Sequence, residues 1–324
     1  MSGFTWHDGE RVIHFGRGRA GEAVELLPSG YVLLTTERAQ ASAPAVVEHA
    51  AEVHHVGSGL VDELSAELLA KVGGDGMVVA LGGGRVIDTA KAIGGALARP
   101  AGAIPTTLSA AEMTKVHRTP KGAQGAERIR PAFVLNDPAL CASQPPRELA
   151  ASAANSLAHA VEGHATTMAS PVPSLAAREA MRLTDVAYSG DGPEEDVHRD
   201  QLALAALLSG YAIDAAHYGL HHVLSQTLVR VGGAAHGAAN AAMLPHTIGA
   251  LERRRPGYVD PDDSLRALAA KLAKIAGADG IRNIGVEQSR LADCARAAAQ
   301  RAELALTPPA AHEAELLALY EAAW

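Results

Sequence analysis

The 324-residue sequence has few aromatic residues, few cysteines and no long apolar run. Two cysteines, Cys141 and Cys294, cannot build a disulfide framework or a four-cysteine zinc site, and they suit a reducing compartment. No uncharged apolar stretch approaches the roughly 20 residues of a membrane-spanning helix, and the N-terminus has no cationic start followed by an apolar run. We therefore expect a soluble, cytoplasmic protein without a signal peptide.

The sequence also lacks an excess of positive charge. Its formal net charge is −8 and aromatic residues make up 3% of it, whereas a nucleic-acid binder needs a basic surface and stacking rings. We expect no nucleic-acid or membrane partner. Hydrophobic residues, at 48%, can fill the core of two domains or of one large α/β domain. The sequence has fifteen histidines, and they are clustered: eight of them fall between residues 159 and 246.

The first 147 residues alternate short apolar or β-branched runs with alanine-rich stretches. Strands are predicted at Arg11–Phe15, Tyr31–Thr36, Met77–Leu81, Ala103–Pro105 and Ala132–Leu135, and helices at Ala20–Leu27 and Val86–Leu97. This alternation predicts an α/β domain with a doubly wound parallel sheet over residues 1–147.

Residues 148–324 contain no convincing strand pattern and predict an all-helical domain. Its predicted helices are Glu148–Met168, Ser174–Tyr188, Asp200–Leu228, Ala238–Leu251, Asp263–Ala276 and Glu287–Leu304.

The glycine triplet Gly82, Gly83 and Gly84 follows a predicted buried strand and precedes a helix. Glycines at this position let the backbone approach a pyrophosphate at the positive helix N-terminus, although turn geometry alone explains them equally well. Asp88 and Lys91, three residues apart on that helix, also fit an intrahelical ion pair.

Two threonines and a serine follow the predicted strand Ala103–Pro105. Thr106, Thr107 and Ser109 could hydrogen-bond a cofactor at the edge where parallel strands end, or cap the following helix.

The second half carries a polar constellation. Asn155 and His159, four residues apart, project from one helix face, and His221, His222 and His236 follow on later segments. Such a set could hold a divalent metal with an open position, or provide proton donors and a cationic socket for an anionic substrate.

These motifs, taken in order, resemble the iron-containing alcohol dehydrogenase family. The loop Leu81 to Lys91 is similar to the family's GGGS-x-x-D-x-A-K pattern. Further similar segments are Pro105-Thr106-Thr107, Glu112-Met113-Thr114, Asn136-Asp137-Pro138, Asn155 to Glu162, Gly219-Leu220-His221-His222, His236-Gly237 and Leu244-Pro245-His246. Within the family, Gly-Leu-His-His and an asparagine at Asn155 look most like the maleylacetate reductases.

The resemblance implies an NAD(P)H-dependent oxidoreductase whose N-terminal α/β domain binds NADH or NADPH and whose C-terminal domain is helical, with a homodimer expected. The implied cofactor-binding residues are Thr36, Gly82, Gly83, Gly84, Arg85, Asp88, Thr106, Thr107, Leu108, Thr114 and Lys121. The implied reaction is hydride transfer to a maleylacetate-like conjugated keto acid, giving 3-oxoadipate in aromatic-compound catabolism.

The implied catalytic residues are His159, His221, His222 and His236, with Asn155 as a neutral hydrogen-bond donor. We expect imidazolium groups to bind the substrate's charge, so activity should fall as pH rises above the imidazole range. His217, Tyr218, Arg178 and Arg118 are expected to set the substrate from the helical domain.

Three alternatives stay open. A metal-dependent alcohol dehydrogenase or aldehyde reductase would hold iron or zinc with His159, His222 and His236 beside Asn155, but a neutral amide is a weak ligand for a divalent ion. A dehydroquinate-synthase-like cyclase would need a metal and a basic phosphate site, and neither is evident. Departures from the family pattern at Arg85, Asn155 and Gln226 also suit an NAD(P)-binding member with altered catalysis.

Overall fold

A computed structural model describes residues 3–190 and 192–324. The chain divides into two units: one runs up to Ser143 and includes Glu195–Ala203, and the other contains Gln144–Glu194 and Leu204–Trp324. The boundary between residues 147 and 148 stays a prediction. None of the helices in the described ranges combines the length and apolarity needed to cross a bilayer.

The first unit is built on a seven-stranded sheet, counted over the described residues. The strands are β1 (Phe4–Asp8), β2 (Arg11–Phe15), β3 (Val32–Thr35), β4 (Glu52–His55), β5 (Val78–Gly82), β6 (Ala101–Pro105) and β7 (Phe133–Asn136). Their order is β1-β2-β7-β6-β5-β3-β4, and all neighbours are parallel except β1 and β2. The predicted α/β class with a parallel sheet is confirmed.

Burial explains which strands the sequence revealed. The central strands β3, β5, β6 and β7 are buried at every residue, so they read as short apolar runs. The strands β1 and β4 lie at the two edges and are only half-buried on alternate residues. Polar residues such as His54 and His55 interrupt the apolar pattern there, and neither edge strand was predicted.

Short helices and one long helix accompany the sheet. They are α1 (Ala23–Leu26), α2 (Glu37–Gln40), α3 (Pro44–Glu48), α4 (Val61–Leu69), α5 (Gly84–Leu97) and α6 (Pro138–Cys141). Helix α5 packs Ile87, Ala90 and Ile93 onto the central strands, which fixes its first turn at the end of β5.

The remaining helices confirm the predicted helical second half. They are α7 (Pro146–Ala165), α8 (Pro171–Ala187), α9 (Asp196–Ala216), α10 (Leu220–Arg230), α11 (His236–Arg254), α12 (Ser264–Ile275), α13 (Leu291–Ala299) and α14 (Glu313–Ala323).

Two helix predictions were wrong in their extent. The single helix predicted over Asp200–Leu228 is broken into α9 and α10 by His217, whose φ of +58° is left-handed, and by Gly219. A Cβ on Gly219 would lie 2.7 Å from the Thr307 side chain, so only glycine allows this close approach. The segment Glu287–Leu304 contains α13 flanked by short 3₁₀ turns rather than one helix.

Candidate functional site

Three glycines join β5 to α5. Gly82 ends the strand, Gly83 is the helix N-cap and Gly84 is the first helical residue. A Cβ on Gly83 would lie 3.2 Å from the Thr107 side chain, and one on Gly84 would lie 3.0 Å from Ser109. The absence of side chains therefore leaves the backbone approachable at the start of a 14-residue helix. Such a helix N-terminus favours a pyrophosphate.

Lys91 ties the loop after β6 to α5. Its side chain is fully buried, and its Nζ donates hydrogen bonds to the carbonyl oxygens of Ala111 (2.9 Å), Thr114 (3.0 Å) and Val116 (3.0 Å). The same Nζ lies 2.8 Å from Asp88 Oδ1, so the ion pair considered from the sequence is present. Lys91 thus shapes the loop that faces the glycines.

Other predicted cofactor residues take several positions. The backbone N–H of Thr106 donates to the Gly82 carbonyl at 3.0 Å, which keeps this loop beside the glycines. Leu108 is buried, and the Thr114 hydroxyl lies 3.4 Å from Lys91 Nζ. These residues support the loop, and a direct cofactor contact stays a prediction for each.

Three further residues lie elsewhere in the first unit or at its surface. Thr36 caps α2, because its hydroxyl oxygen accepts the Ala39 N–H at 3.2 Å. Lys121 is 73% exposed, with Nζ 3.7 Å from Glu63 Oε1 beside α4. Arg85 is an exposed residue in the first turn of α5.

Glu112 is a buried carboxyl group whose role the sequence did not reveal. It is 1% exposed, its Oε1 accepts a 3.4 Å hydrogen bond from Asn136, and its Oε2 has no partner among the described residues. Burial raises the pKa of Glu112 to about 7. The only signal was its place in the segment Glu112-Met113-Thr114.

Glu162 organises the polar group of the second unit. Its buried carboxylate accepts the backbone N–H groups of Gly219 (3.1 Å), His221 (2.7 Å) and His222 (3.2 Å) at the start of α10. It also accepts a 2.6 Å hydrogen bond from His222 Nδ1. The carboxylate thereby stabilises the helix N-terminus and orients one imidazole. Glu162 lies three residues after His159, on the same face of α7, which was the signal available in the sequence.

His221 uses both ring nitrogens inside the protein. Its Nδ1 lies 2.8 Å from the Thr247 hydroxyl and its Nε2 lies 3.1 Å from Asn240 Oδ1. A neutral ring satisfies both contacts when Nε2–H donates to Asn240 and Nδ1 accepts the hydroxyl proton. Asn240 in turn contacts His236 Nε2 at 3.1 Å. The expectation that His221 itself faces substrate is therefore corrected, since neither nitrogen is left for one.

Within the group formed by Asn155 and the histidines, three buried polar atoms have no hydrogen-bond partner among the described residues. They are Asn155 Oδ1, His159 Nδ1 and His222 Nε2. The rings of His159 and His222 stack with centroids 4.8 Å apart. Buried polar atoms are costly when unpaired, so these atoms mark where a bound molecule would find partners.

The surroundings of His159, His221 and His222 favour the neutral form of each ring. Burial, together with neighbouring imidazoles, lowers the pKa of His221 and of His222 to about 3 and lowers that of His159 well below 6.5. For these three rings the lowered pKa does not support the expectation that imidazolium groups bind an anion, because desolvation disfavours the charged ring. We now expect no loss of activity from imidazole deprotonation above pH 6.5.

The predicted metal ligands do not fit a shared ion in this arrangement. Asn155 offers only a neutral amide, and the ring planes of His159 and His222 are within 9° of parallel. An imidazole binds a metal through a lone pair in its own plane, and two parallel planes have no common point. Across residues 3–190 and 192–324, no group of three or more His, Cys, Asp or Glu side chains is placed to hold a metal ion.

Arg301, a cationic group that no sequence motif marks, is linked to His222 through Tyr218. Arg301 Nη2 donates to the Tyr218 hydroxyl (3.2 Å), to Gln226 Oε1 (3.2 Å) and to Glu303 Oε1 (2.8 Å). The Tyr218 ring is tilted against His222 with centroids 5.7 Å apart. No local pattern links Arg301 to Gln226, since they are 75 residues apart in the chain.

The expected substrate-setting residues divide between the two units. Tyr218 adjoins His222, whereas Arg118 belongs to the first unit and pairs with Asp62 at 3.2 Å. The expectation that Arg118 serves the helical domain is therefore corrected. His217 lies in the break between α9 and α10, and Arg178 lies on α8, where its charge lowers the pKa of His164 after the larger effect of burial.

Two family models match the sequence. The one described as "Fe-containing alcohol dehydrogenase family, C-terminal" matches residues 149–324, and the one described as "Iron-containing alcohol dehydrogenase" matches residues 34–145. The two matches together extend over residues 34–324 except for residues 146–148.

Individual proteins show the same likeness. A maleylacetate reductase from Sphingobium indicum is 32% identical over 210 residues, which is 60% of each chain, and one from Pseudomonas aeruginosa is 29% identical over 260 residues, 74% of each. The alignments with the first three curated relatives span 49% to 60% of those relatives' lengths. The crystal structure of maleylacetate reductase from Agrobacterium tumefaciens superposes with a TM-score of 0.84 at 26% identity, covering 100% of this chain and 99% of that one.

Proposed function

This chain belongs to the iron-containing alcohol dehydrogenase family, and we propose that it is an NAD(P)H-dependent reductase of a maleylacetate-like conjugated keto acid. The observation that carries the proposal is the group of buried polar atoms on Asn155, His159 and His222, with His222 oriented by Glu162. Similarity to maleylacetate reductases supports the substrate class, with 3-oxoadipate as the product.

The glycine cradle fits the cofactor. Gly83 and Gly84 leave the space that a Cβ would fill, and Thr106 holds its loop against them, so these residues with Arg85 would hold the pyrophosphate. A bound nicotinamide supplies the hydride. Either NADH or NADPH is proposed as the cofactor. The residues proposed to contact it or to support its site are Thr36, Asp88, Thr107, Leu108, Thr114 and Lys121.

The histidine group stabilises the charge that the reaction creates. Hydride addition to the carbon–carbon double bond moves an electron pair onto the conjugated ketone oxygen. A neutral His159 can donate a hydrogen bond to that enolate oxygen, and Asn155 can donate from its amide nitrogen. The carbon α to the ketone then takes a proton, which regenerates the ketone.

His222 and His221 have different proposed tasks. Because His222 Nδ1–H donates to Glu162, its Nε2 is an acceptor that can hold a water or a substrate hydroxyl. His221 is a positioning residue, linking α10 to α11 through Thr247 and Asn240. His236, at the start of α11, is oriented by Asn240 and is proposed as a further donor.

The test is oxidation of NADH or NADPH, followed at 340 nm, with maleylacetate and with small aldehydes. We expect turnover of maleylacetate, unchanged by a chelator, and a loss in kcat of about 100-fold in His159→Asn. His312→Asn is the matched control, because His312 is an exposed N-cap of α14 and asparagine also caps helices. If the protein turned over aldehydes but not maleylacetate, and a chelator abolished that activity, the proposal would be wrong. The result would instead indicate a metal-dependent alcohol dehydrogenase or aldehyde reductase.

A further inference from the structure

Arg301 is a partly buried cation that the proposed chemistry leaves unused. Its side chain is 18% exposed, and Nε and Nη2 donate to the two carboxylate oxygens of Glu303 at 3.1 and 2.8 Å. Nη1 is buried and has no hydrogen-bond partner among the described residues. A buried N–H group without an acceptor is costly, so a ligand that offers an acceptor to Nη1 would gain a hydrogen bond there.

The neighbours of Arg301 place it at the histidine group. Gln226 follows His222 by four residues, which is one turn of α10, and its Oε1 accepts a hydrogen bond from Arg301. Tyr218 accepts from Arg301 and packs its ring against His222. Arg301 and His222 are therefore joined through two shared neighbours.

The described hydrogen-bond partners of Arg301 all lie on one side of its guanidinium. Glu303 and Gln226 occupy only the Nε and Nη2 side of the guanidinium, where they hold its plane in place. A carboxylate is the acceptor that gains most from the remaining Nη1 donors, because both partners are charged.

We propose that Arg301 Nη1 binds a carboxylate of the substrate and so makes this oxidoreductase selective for anionic substrates. The assignment rests on the proposed function for the identity of the reaction. The binding of a dicarboxylate can nevertheless be measured without turnover, so the two proposals can fail separately.

The experiment compares Arg301→Met, Arg301→Lys and Gln226→Glu with the wild type. Methionine retains an unbranched apolar stem, lysine retains the charge, and glutamate retains an acceptor for Arg301 while adding a repelling charge. Arg296→Met is the control, because Arg296 is 62% exposed and its described ion pair is with Asp293 on the same helix, α13. Binding of succinate is measured by calorimetry, and KM and kcat are measured with maleylacetate and with an uncharged aldehyde.

We expect Arg301→Met to weaken succinate binding and to raise KM for maleylacetate by about 10- to 100-fold, with a smaller change in kcat and none in KM for the aldehyde. Gln226→Glu should raise KM for maleylacetate in the same direction, and Arg301→Lys should restore part of the affinity. Arg296→Met should behave as the wild type.

The outcomes separate the two proposals. Succinate binding that depends on Arg301, in a protein that does not turn over maleylacetate, would support the anion site and contradict the proposed reaction. Turnover of maleylacetate with a KM that Arg301→Met leaves unchanged would support the proposed reaction and contradict the anion site. Equal losses for the aldehyde and for the anion, with a lowered melting temperature, would overturn the binding role in favour of a structural one.

Discussion

Glu112 and Glu162 are both buried carboxyl groups, yet their surroundings differ. Glu162 accepts three backbone N–H groups and one imidazole N–H. Glu112 accepts one long hydrogen bond, and its second oxygen has no partner among the described residues. Burial raises the pKa of both, and the raised pKa of Glu112, about 7, falls in a range that titration can reach.

Glu112 should make the protein less stable as pH rises. Its pKa is about 7 in the folded chain against an ordinary value of 4.5. Between these values the unfolded chain ionises while the folded chain keeps the proton, so stability is lost from pH 4.5 up to 7 and is constant above. Relative to the wild type, Glu112→Gln should therefore gain about 2 to 3 kcal/mol in free energy of unfolding between pH 5 and pH 8.

Urea unfolding at the two pH values measures this difference. Glu67→Gln is the control, because Lys71 lowers the pKa of Glu67 and any small effect there has the opposite sign. An equal effect of Glu112→Gln at pH 5 and pH 8 would mean that the Glu112 carboxyl is ionised in the folded protein.

At the scale of elements, the loop after β6 depends on α5 rather than on its own sequence. Its residues from 106 to 116 include no strand or helix, and three of its carbonyls are held by the single ammonium group of Lys91. The same loop packs on Gly83 and Gly84. A change at Lys91 should therefore reach the cofactor site without altering any residue of that site.

Lys91→Met should destabilise the first unit and weaken cofactor binding. Methionine fills much of the space but leaves three carbonyl oxygens without their donor, at a cost of about 3 kcal/mol or more. Urea unfolding and the fluorescence of bound NADH measure the two effects. Lys71→Met is the control, because the Lys71 side chain is exposed and its described ion pair is with Glu67. Unchanged NADH affinity in Lys91→Met would show that the loop keeps its conformation without Lys91.

At the scale of the whole molecule, three buried histidines should make the free energy of unfolding decrease as the pH falls. His159, His221 and His222 resist protonation in the folded chain and accept protons near pH 6.5 when unfolded. A group whose pKa is depressed by folding makes stability fall as pH falls below the unfolded value.

The free energy of unfolding should decline below pH 6.5 by up to about 4 kcal/mol per pH unit, one proton for each of the three rings. Glu112 offsets a part of this decline. Chemical denaturation at pH 8, 7, 6 and 5 provides the measurement, with retained far-UV circular dichroism as a check on the folded state. Constant stability over this range would mean that the rings bind protons in the folded protein.

Local sequence determined the features that depend on neighbours along the chain. Apolar runs predicted the central strands, the glycine triplet marked the turn into α5, and the spacing of Asn155 and His159 placed both on one face of α7. These follow from backbone geometry and from the periods of strands and helices.

Tertiary structure alone decided the chemical state of the histidine group. Burial favours the neutral form of His222, Glu162 orients its ring, and Asn240 and Thr247 contact the two ring nitrogens of His221. Arg301 joins the group from a distant segment. Desolvation and contacts between residues far apart in the chain set these properties, and the spacing of residues along the sequence predicts neither.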